Sequence, residues 1–327
     1  MEGAGVIFEA SRKPAEVFVV SFAVVEGKPA GPRRRFIALP KGKNDHDDCE
    51  AEAPLQHASC YPGVVFGELA AVFDRKASFF QVSLPQGSRT SFRCRAEAGR
   101  LAELTQLQMG YKGSPQMLHT ATRVLVRDHA IVSSRCAAPQ SLKIHVCIDS
   151  IRICGPWRGV EKRSRIASRN ARQCGTALGE SNYLSKKHEF IGVHFGRETG
   201  TVCQSQKTIR KLREVPPLEG LAVAELERLT SRMVCAANVR GGALLEQCFL
   251  LKAVSRRLSK LNGCILQLND GADLPARAIS QGKRCLSSLL ANKSVTPRRH
   301  RPTPAALVTD VSMCGWGALL FRDSGAV

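Results

Sequence analysis

Apolar residues recur along this chain with two different periods, and the change from one to the other divides it. VFVVSFAVV (residues 17–25) is a continuous apolar run that reads as a buried strand or short helix. Acidic as well as basic residues precede it and no clear cleavage site follows, which sets it apart from a signal peptide. GPRRRFIALPKGKNDHDD (31–48) begins as a basic β-like run, breaks at Pro40 and Gly42, and continues as a polar loop. LAAVFDRKASFFQVSL (69–84) opens with an apolar strand that ends on Asp74. SPQMLHTATRVLVRDHA (114–130) predicts a helix, with Ser114 as N-cap, Pro115 at the first helical position and Leu118, Ala121 and Leu125 along one face. HVCIDSIRICG (145–155) reads as two short β-rich runs around a tight turn, with Asp149 at its tip. A basic, Ser-rich connection leads to HEFIGVHFG (188–196), a strand pair or hairpin.

Beyond residue 207 the period becomes helical. LAVAELERLTSRMVCAANV (221–239) and ALLEQCFLLKAVSRRLSKL (243–261) repeat apolar residues at i, i+3 and i+4, with Arg and Lys on the opposite face. VTPRRHRPTP (295–304) is a Pro-rich basic linker and the best domain boundary in the chain. AALVTDVSMCGWGALL (305–320) starts a further β-rich unit that the remaining residues cannot complete, so the chain is expected to be a fragment.

Composition adds a partner to this outline. The 48 Lys and Arg outnumber the 28 Asp and Glu, for a net charge of +20. An excess of that size favours a polyanion, nucleic acid first, because each phosphate neutralised releases condensed counterions. The 13 cysteines are dispersed singly with no C-x-x-C pair, which excludes zinc-ribbon and thioredoxin motifs and a disulfide framework. They are expected to be buried thiols in a reducing intracellular compartment, cytoplasm and nucleus both remaining open. No apolar stretch approaches the roughly 18 residues of a membrane span. The 8 histidines show no metal-ligand spacing and are expected on the surface or in packing roles.

Two carboxylates stand out by position, Asp74 at a strand end and Asp149 on a hairpin turn. If the two strands are sheet neighbours, both side chains project from one edge. They could then hold a pair of Mg²⁺ ions, hard cations that prefer oxygen ligands. Two such ions stabilise the attacking and leaving oxygens of an in-line phosphoryl transfer. On the residues alone, solvated turn carboxylates are the commoner explanation.

The order of the surrounding motifs changes that balance. FDRKASFFQVSLP, ELTQLQMGYKGSPQMLHTATRVL, HVCIDSIRICGP and EFIGVHFG resemble, in sequence order, the four palm motifs of reverse transcriptases, and LVTDVSMCGWGALL resembles the opening strands of a ribonuclease H domain. The nearest named resemblance is to the polymerase region of tyrosine-recombinase (DIRS-like) retroelements of the trypanosomatid VIPER group, and it runs from about Arg33 to the C-terminus. It implies an α+β right-hand polymerase: partial fingers over residues 1–63, palm with the remaining fingers and primer grip over 64–200, and a helical thumb or connection over 201–294. A linker over 295–304 and a truncated ribonuclease H start over 305–327 would follow.

The same resemblance assigns roles. Asp74 and Asp149 become the metal-ligand carboxylates for two Mg²⁺ ions, with Mn²⁺ as the alternative ion, and the Arg75 carbonyl also faces a metal. Phe79 takes the steric-gate position under the incoming nucleotide's sugar. Gly110 lets the backbone approach the nascent base pair, and Arg34 with Arg35 contacts the triphosphate. Gly192 belongs to the primer grip, and Asp310 is the first ribonuclease H carboxylate. The implied partners are an RNA template, a DNA primer and deoxynucleoside triphosphates, with no membrane. The family's Y-x-D-D hairpin reads here Cys147-Ile148-Asp149-Ser150, and Met109 replaces a common Gln. Two alternatives to an RNA-directed DNA polymerase therefore stay open. One is a decayed remnant that binds nucleic acid by charge, and the other is a basic RNA-binding or scaffolding module with Asp74 and Asp149 far apart.

Overall fold

A four-stranded antiparallel sheet carries the centre of the chain in this computed structural model. The structure describes residues 5–10, 20–26, 34–48, 61, 68–95, 100–240, 244–297, 305–312 and 315–322, the side chains of 22–26, 34–36, 180–181, 244–245 and 305–322 excepted. In spatial order the central strands are β7 (Lys143–Cys147), β8 (Ser150–Gly155), β4 (Leu69–Arg75) and β9 (Leu178–Ser185). Alternation along β4 and β8 gives the sheet two different faces. Ala71, Phe73, Ile151 and Ile153 pack with Leu125 of α3 (Ser114–Leu125) and with Val160, Ala167 and Ala171 of α4 (Trp157–Gln173). On the opposite face Val72 meets Tyr61 and the apolar residues of a second sheet, Phe190, Val193, Phe195 and Val202. That sheet is built from β10 (Lys187–Phe190), β11 (Val193–Gly196) and β12 (Thr201–Gln204).

Around this centre lie smaller units. Strands β1 (Ile7–Glu9), β6 (Leu101–Leu104) and β5 (Arg93–Arg95) form one sheet, and β2 (Ser21–Glu26) pairs with β3 (Arg34–Leu39). Two short helices follow these strands in the chain, α1 (Lys41–His46) after β3 and α2 (Gln86–Arg89) before β5. Helices α5 (Gln206–Arg213), α6 (Val223–Val239), α7 (Cys248–Asn262) and α8 (Ala276–Leu290) bury an aliphatic core of their own, including Leu212, Leu226, Met233, Leu250, Val254 and Leu289. The final hairpin pairs β13 (Ala305–Ser312) with β14 (Gly315–Arg322). Among the described residues, no helix is long and apolar enough to cross a membrane.

Several expectations change. The basic, Ser-rich connection before residue 188 contains α4 and β9. Helix α4 buries Val160, Ser164, Ala167 and Ala171 together with Arg163, and mostly polar and basic residues fill the rest, so its apolar stripe is faint in the sequence. The polar loop after Pro40 is α1, with Asn44 bonded to the loop at 110–112. Ser114 is the first residue of α3 rather than its cap, and its hydroxyl is buried without a partner. Ala121 is exposed, and Thr122 fills the buried face between Leu118 and Leu125 because its hydroxyl bonds the Leu118 carbonyl at 2.8 Å. Val295, expected to open the linker, bridges to Val202 of β12 through two 2.9 Å backbone bonds. Of the described cysteines, all free, only Cys94 and Cys154 are buried, against the expectation of buried thiols throughout. A dispersed cysteine does not mark burial, because it also sits on helix surfaces.

Among the described residues three histidines are buried, His119, His145 and His188. Burial, then nearby guanidinium charge, holds all three below the ordinary imidazole value, and pushes His145 and His188 down to about 3. A group neutral in the fold and protonated when unfolded contributes stability above its unfolded value, near 6.5, and loses it as pH falls toward the folded value. Denaturant unfolding should therefore show stability falling steadily from about pH 6.5 toward pH 4. His188→Phe should flatten that dependence, and an unchanged slope in the variant would contradict it.

Candidate active site

The turn that joins β7 to β8 is only two residues long, Ile148 and Asp149, closed by the pairing of Cys147 with Ser150. Ile148 has φ 57° and Asp149 does not share a positive φ, the sign pattern of a type II′ hairpin turn. A β-branched residue in the left-handed region is strained by about 1–3 kcal/mol, so its surroundings must hold it there. They do so in two ways: the His119 Nδ1 accepts the Ile148 amide at 3.3 Å, and the Ile148 side chain packs on the core around Leu104, Leu107 and Leu118. On the other side of the tip, Ile151 is fully buried against the helices α3 and α4. The two isoleucines are thus anchored in different cores, and Asp149 is fixed between them.

Register then brings in the second carboxylate. Asp74 of β4 pairs directly with Ser150 of β8, and the Arg75 amide donates to the Asp149 carbonyl at 3.2 Å. Both acids are further oriented by hydroxyls. Ser150 Oγ donates to Asp74 Oδ1 at 3.2 Å, and Ser78 Oγ donates to Asp149 Oδ2 at 3.0 Å. Ser78 is buried at the start of the 3-10 turn Ser78–Gln81, entered through Ala77 at φ 47°. Burial, and after it the charge of Asp149, raises the Asp74 carboxyl above its ordinary value, while the Ser150 bond offsets part of the rise. The two carboxylates are therefore close enough to repel one another.

A fixed positive charge lies behind them. The Arg75 side chain points to the helical face of the sheet, 4% exposed, with its guanidinium on the Thr122 hydroxyl at 3.1 Å and the Thr176 hydroxyl at 3.4 Å. Burial lowers its proton affinity, and the Asp149 charge offsets that. Arginine keeps its proton regardless. Two acids and one buried guanidinium give the site a net charge near −1.

The remaining candidate residues fall into place unevenly. Phe79 is half-buried and, with Tyr111 and Ile148, covers the core around Leu104, Leu107 and Leu118. Gly110 has φ +129°, and a Cβ there would lie 2.2 Å from the Ala38 carbonyl oxygen. The close approach that demands glycine is therefore to strand β3 of the same chain, a reason the sequence reading did not contain. The Asn44 side chain clamps this loop, donating to the Gly110 carbonyl at 3.0 Å and accepting the Lys112 amide at 2.9 Å. Gly192, at φ +80°, lies in the two-residue β10–β11 turn, where Ser205 N and Thr208 Oγ1 donate to its carbonyl. A Cβ on Gly192 would meet Thr208 Oγ1 at 2.9 Å.

Arg34, Arg35 and Asp310 have backbone in β3 and β13, and their side chains lie outside the described residues. Ser78, His119, Asn44 and the Arg75 side chain were missed. Their only sequence signal is a polar type near a motif, because the partners that define them are 29–101 residues away.

No family model matches the sequence, and neither does any curated protein. Solved structures do match. A foamy viral protease-reverse transcriptase (dRH) in complex with double-stranded DNA aligns with 99% of this chain at TM-score 0.66 and 14% identity. The chain has a reverse-transcriptase fold. The foamy viral protease-reverse transcriptase bound to double-stranded DNA matches at TM-score 0.60 and 13% identity, and its RNA/DNA hybrid complex at 0.62 and 12%, each over 98% of this chain. The chain spans 52%, 64% and 41% of those three proteins' lengths. Within the reverse-transcriptase fold, Asp74 and Asp149 share one sheet edge, which the scaffolding alternative did not expect.

The Gly110 geometry yields a test that needs no ligand. Gly110→Ala should lower the unfolding free energy by at least about 2 kcal/mol in chemical denaturation, since it combines a disfavoured φ with a backbone clash. An unchanged midpoint would mean that strand β3 does not impose the glycine.

Proposed function

We propose that the chain is the polymerase part of a retroelement reverse transcriptase, extending a DNA primer on an RNA template by two-metal nucleotidyl transfer. The observation that carries the reading is the Asp74–Ser150 pairing, which sets two carboxylates side by side on one edge of a sheet in a reverse-transcriptase fold. In this reading β2–β3 and the Gly110 loop belong to the fingers, the four-stranded sheet with α3 and α4 is the palm, and α5–α8 form the thumb. Strands β13 and β14 open a ribonuclease H unit in which Asp310 is the first carboxylate. The motif order supports a DIRS-like, VIPER-type element as its source.

The donor set fits a hard divalent cation: two carboxylates, each with one oxygen held by a serine hydroxyl and the other free. Mg²⁺, or Mn²⁺, would lie against Asp74 and Asp149, and bound there it supplies Lewis-acid activation of the primer 3′-hydroxyl and charge stabilisation of the triphosphate. The chain's own residues prepare the rest. Asp74 and Asp149 orient the reacting groups from the sheet edge. Phe79 lies beneath the sugar of the incoming deoxynucleotide and excludes a 2′-hydroxyl. Arg34 and Arg35 hold the triphosphate by charge-assisted bonds. Gly192 lets the β10–β11 turn support the primer end. The basic face of the helical region tracks the hybrid's phosphates without reading sequence.

A catalytically silent remnant is the second reading, and the net charge of the site favours it. Ser150 replaces the family's second hairpin acid, and Arg75 adds a buried cation beneath Asp149. Both reduce the attraction for divalent ions.

Primer extension on an RNA template separates the two. Asp74→Asn or Asp149→Asn should abolish Mg²⁺-dependent extension while leaving hybrid binding within about threefold, since phosphate contacts carry most of the affinity. Ser150→Asp and Arg75→Met should each lower the Mg²⁺ concentration for half-maximal extension by roughly tenfold, a change of about 1.4 kcal/mol. No extension by the parent protein or by either charge variant would establish the remnant.

A further inference from the structure

On the sheet face that carries Asp74, β8 continues inward with Arg152 opposite Val72 and Cys154 opposite Ala70. Arg152 therefore lies about 7 Å along the strand from the candidate site, at a rise near 3.4 Å per residue. Its guanidinium is 0% exposed and stacks 4.1 Å from the centre of the Phe195 ring and 5.0 Å from that of Phe190. One nitrogen donates to the Tyr61 carbonyl at 2.9 Å and approaches the His145 Nδ1 at 3.3 Å. Its Nε and second terminal nitrogen have no hydrogen-bond partner.

A second guanidinium, Arg197 from the β11–β12 turn, is 8% exposed, and apart from the Cys154 sulfur none of its three nitrogens has a hydrogen-bond partner. His188 of β10, 3% exposed and stacked on Phe195 at 4.9 Å, has neither ring nitrogen bonded. Arg152 and His188 both contact the Phe195 ring, and Arg197 follows Phe195 by two residues, so all three face the layer between the two sheets. The Arg197 charge weakens Arg152's hold on its proton, both guanidiniums act on His188, and both lie beside the Cys154 thiol. Among the described residues, no carboxylate contributes to the surroundings of either arginine.

Two guanidiniums without a counter-charge in a closed interior are electrostatically unfavourable. Leaving one buried charge uncompensated costs several kcal/mol, and two like charges add their repulsion. The seven orphan nitrogens of this layer, five of them guanidinium donors, define what would relieve it: a group with negative charge and no donors of its own. Because every contributing side chain is at least nine-tenths buried, the occupant must be small and readily stripped of water. A carboxylate on another chain could not enter without opening the sheet packing.

We propose that Arg152, Arg197 and His188 form a buried binding site for a small monovalent anion of the halide class. It lies between the central sheet and the β10–β12 sheet, and its occupancy locks the two sheets together. The site is independent of the polymerase reading. It would nonetheless fix the position of the β10–β11 turn relative to Asp74, since Arg152 is on one sheet and Arg197 and His188 on the other.

The test is thermal unfolding of the parent chain at constant ionic strength, with chloride replaced stepwise by gluconate. The melting temperature should rise with chloride and saturate as for a single site, and Arg197→Met should lose that response. Arg197→Lys, which keeps a charge but fewer donors, should shift the half-saturating chloride concentration upward at least fivefold, and covers the case in which the Met variant does not fold. In crystals grown with bromide, an anomalous peak should lie within about 3.5 Å of nitrogens of both arginines, as a hydrogen-bonded ion requires. Equal melting temperatures in chloride and gluconate, a chloride response kept by both Arg197 variants, or no bromide peak would each overturn the proposal. The first of these would mean that the two cations are compensated from within the cluster.

Discussion

Everything about the candidate site depends on the register between β4 and β8. Because side chains alternate along a strand, the pairing of Asp74 with Ser150 puts Asp74 beside the hairpin tip. A slip of one residue would send it to the helical face, into the core around Phe73 and Ile151. The register is fixed from both sides. Ile151 and Ile153 must face α3 and α4, while Val72 and Arg152 must face the second sheet. Two incompatible burial demands on neighbouring residues leave one solution, and the acids are carried along by it.

That solution concentrates charge. The same strand face that presents Asp74 at its edge buries Arg152 and Cys154 behind it, and the opposite face buries Arg75 under Asp149. The centre of the molecule is therefore poorer in negative charge than a site with three carboxylates. The chain as a whole carries +20, which draws in polyanions but gives no help in retaining dications. Recruitment of nucleic acid and retention of metal thus pull the charge balance in opposite directions.

What could be read from the sequence was whatever is local. The hairpin at 145–155 is legible because both strands and the turn lie within eleven residues, and α6 and α7 are legible because their apolar stripes use Leu, Met and Val. Helix α4 was not, because its buried stripe is largely Ala and Ser. Strand β9 was not, because LGESNYLS is polar and joins β4 only through an irregular, bulged pairing. Strand β1 was not, because its partner lies some hundred residues away at Ala102–Leu104. The two acids could be named from motif order alone. The groups that orient them, Ser78 and His119, are ordinary residue types whose meaning exists only once distant strands have met.

The central claim is that Asp74 and Asp149 jointly hold a divalent cation. Electron paramagnetic resonance of Mn²⁺ titrated into the protein alone tests it without relying on any reaction. The account expects a bound-ion population in the parent chain that disappears in both Asp74→Asn and Asp149→Asn while the fold, followed by circular dichroism, is kept. Binding that survives either substitution, in a folded variant, would contradict it.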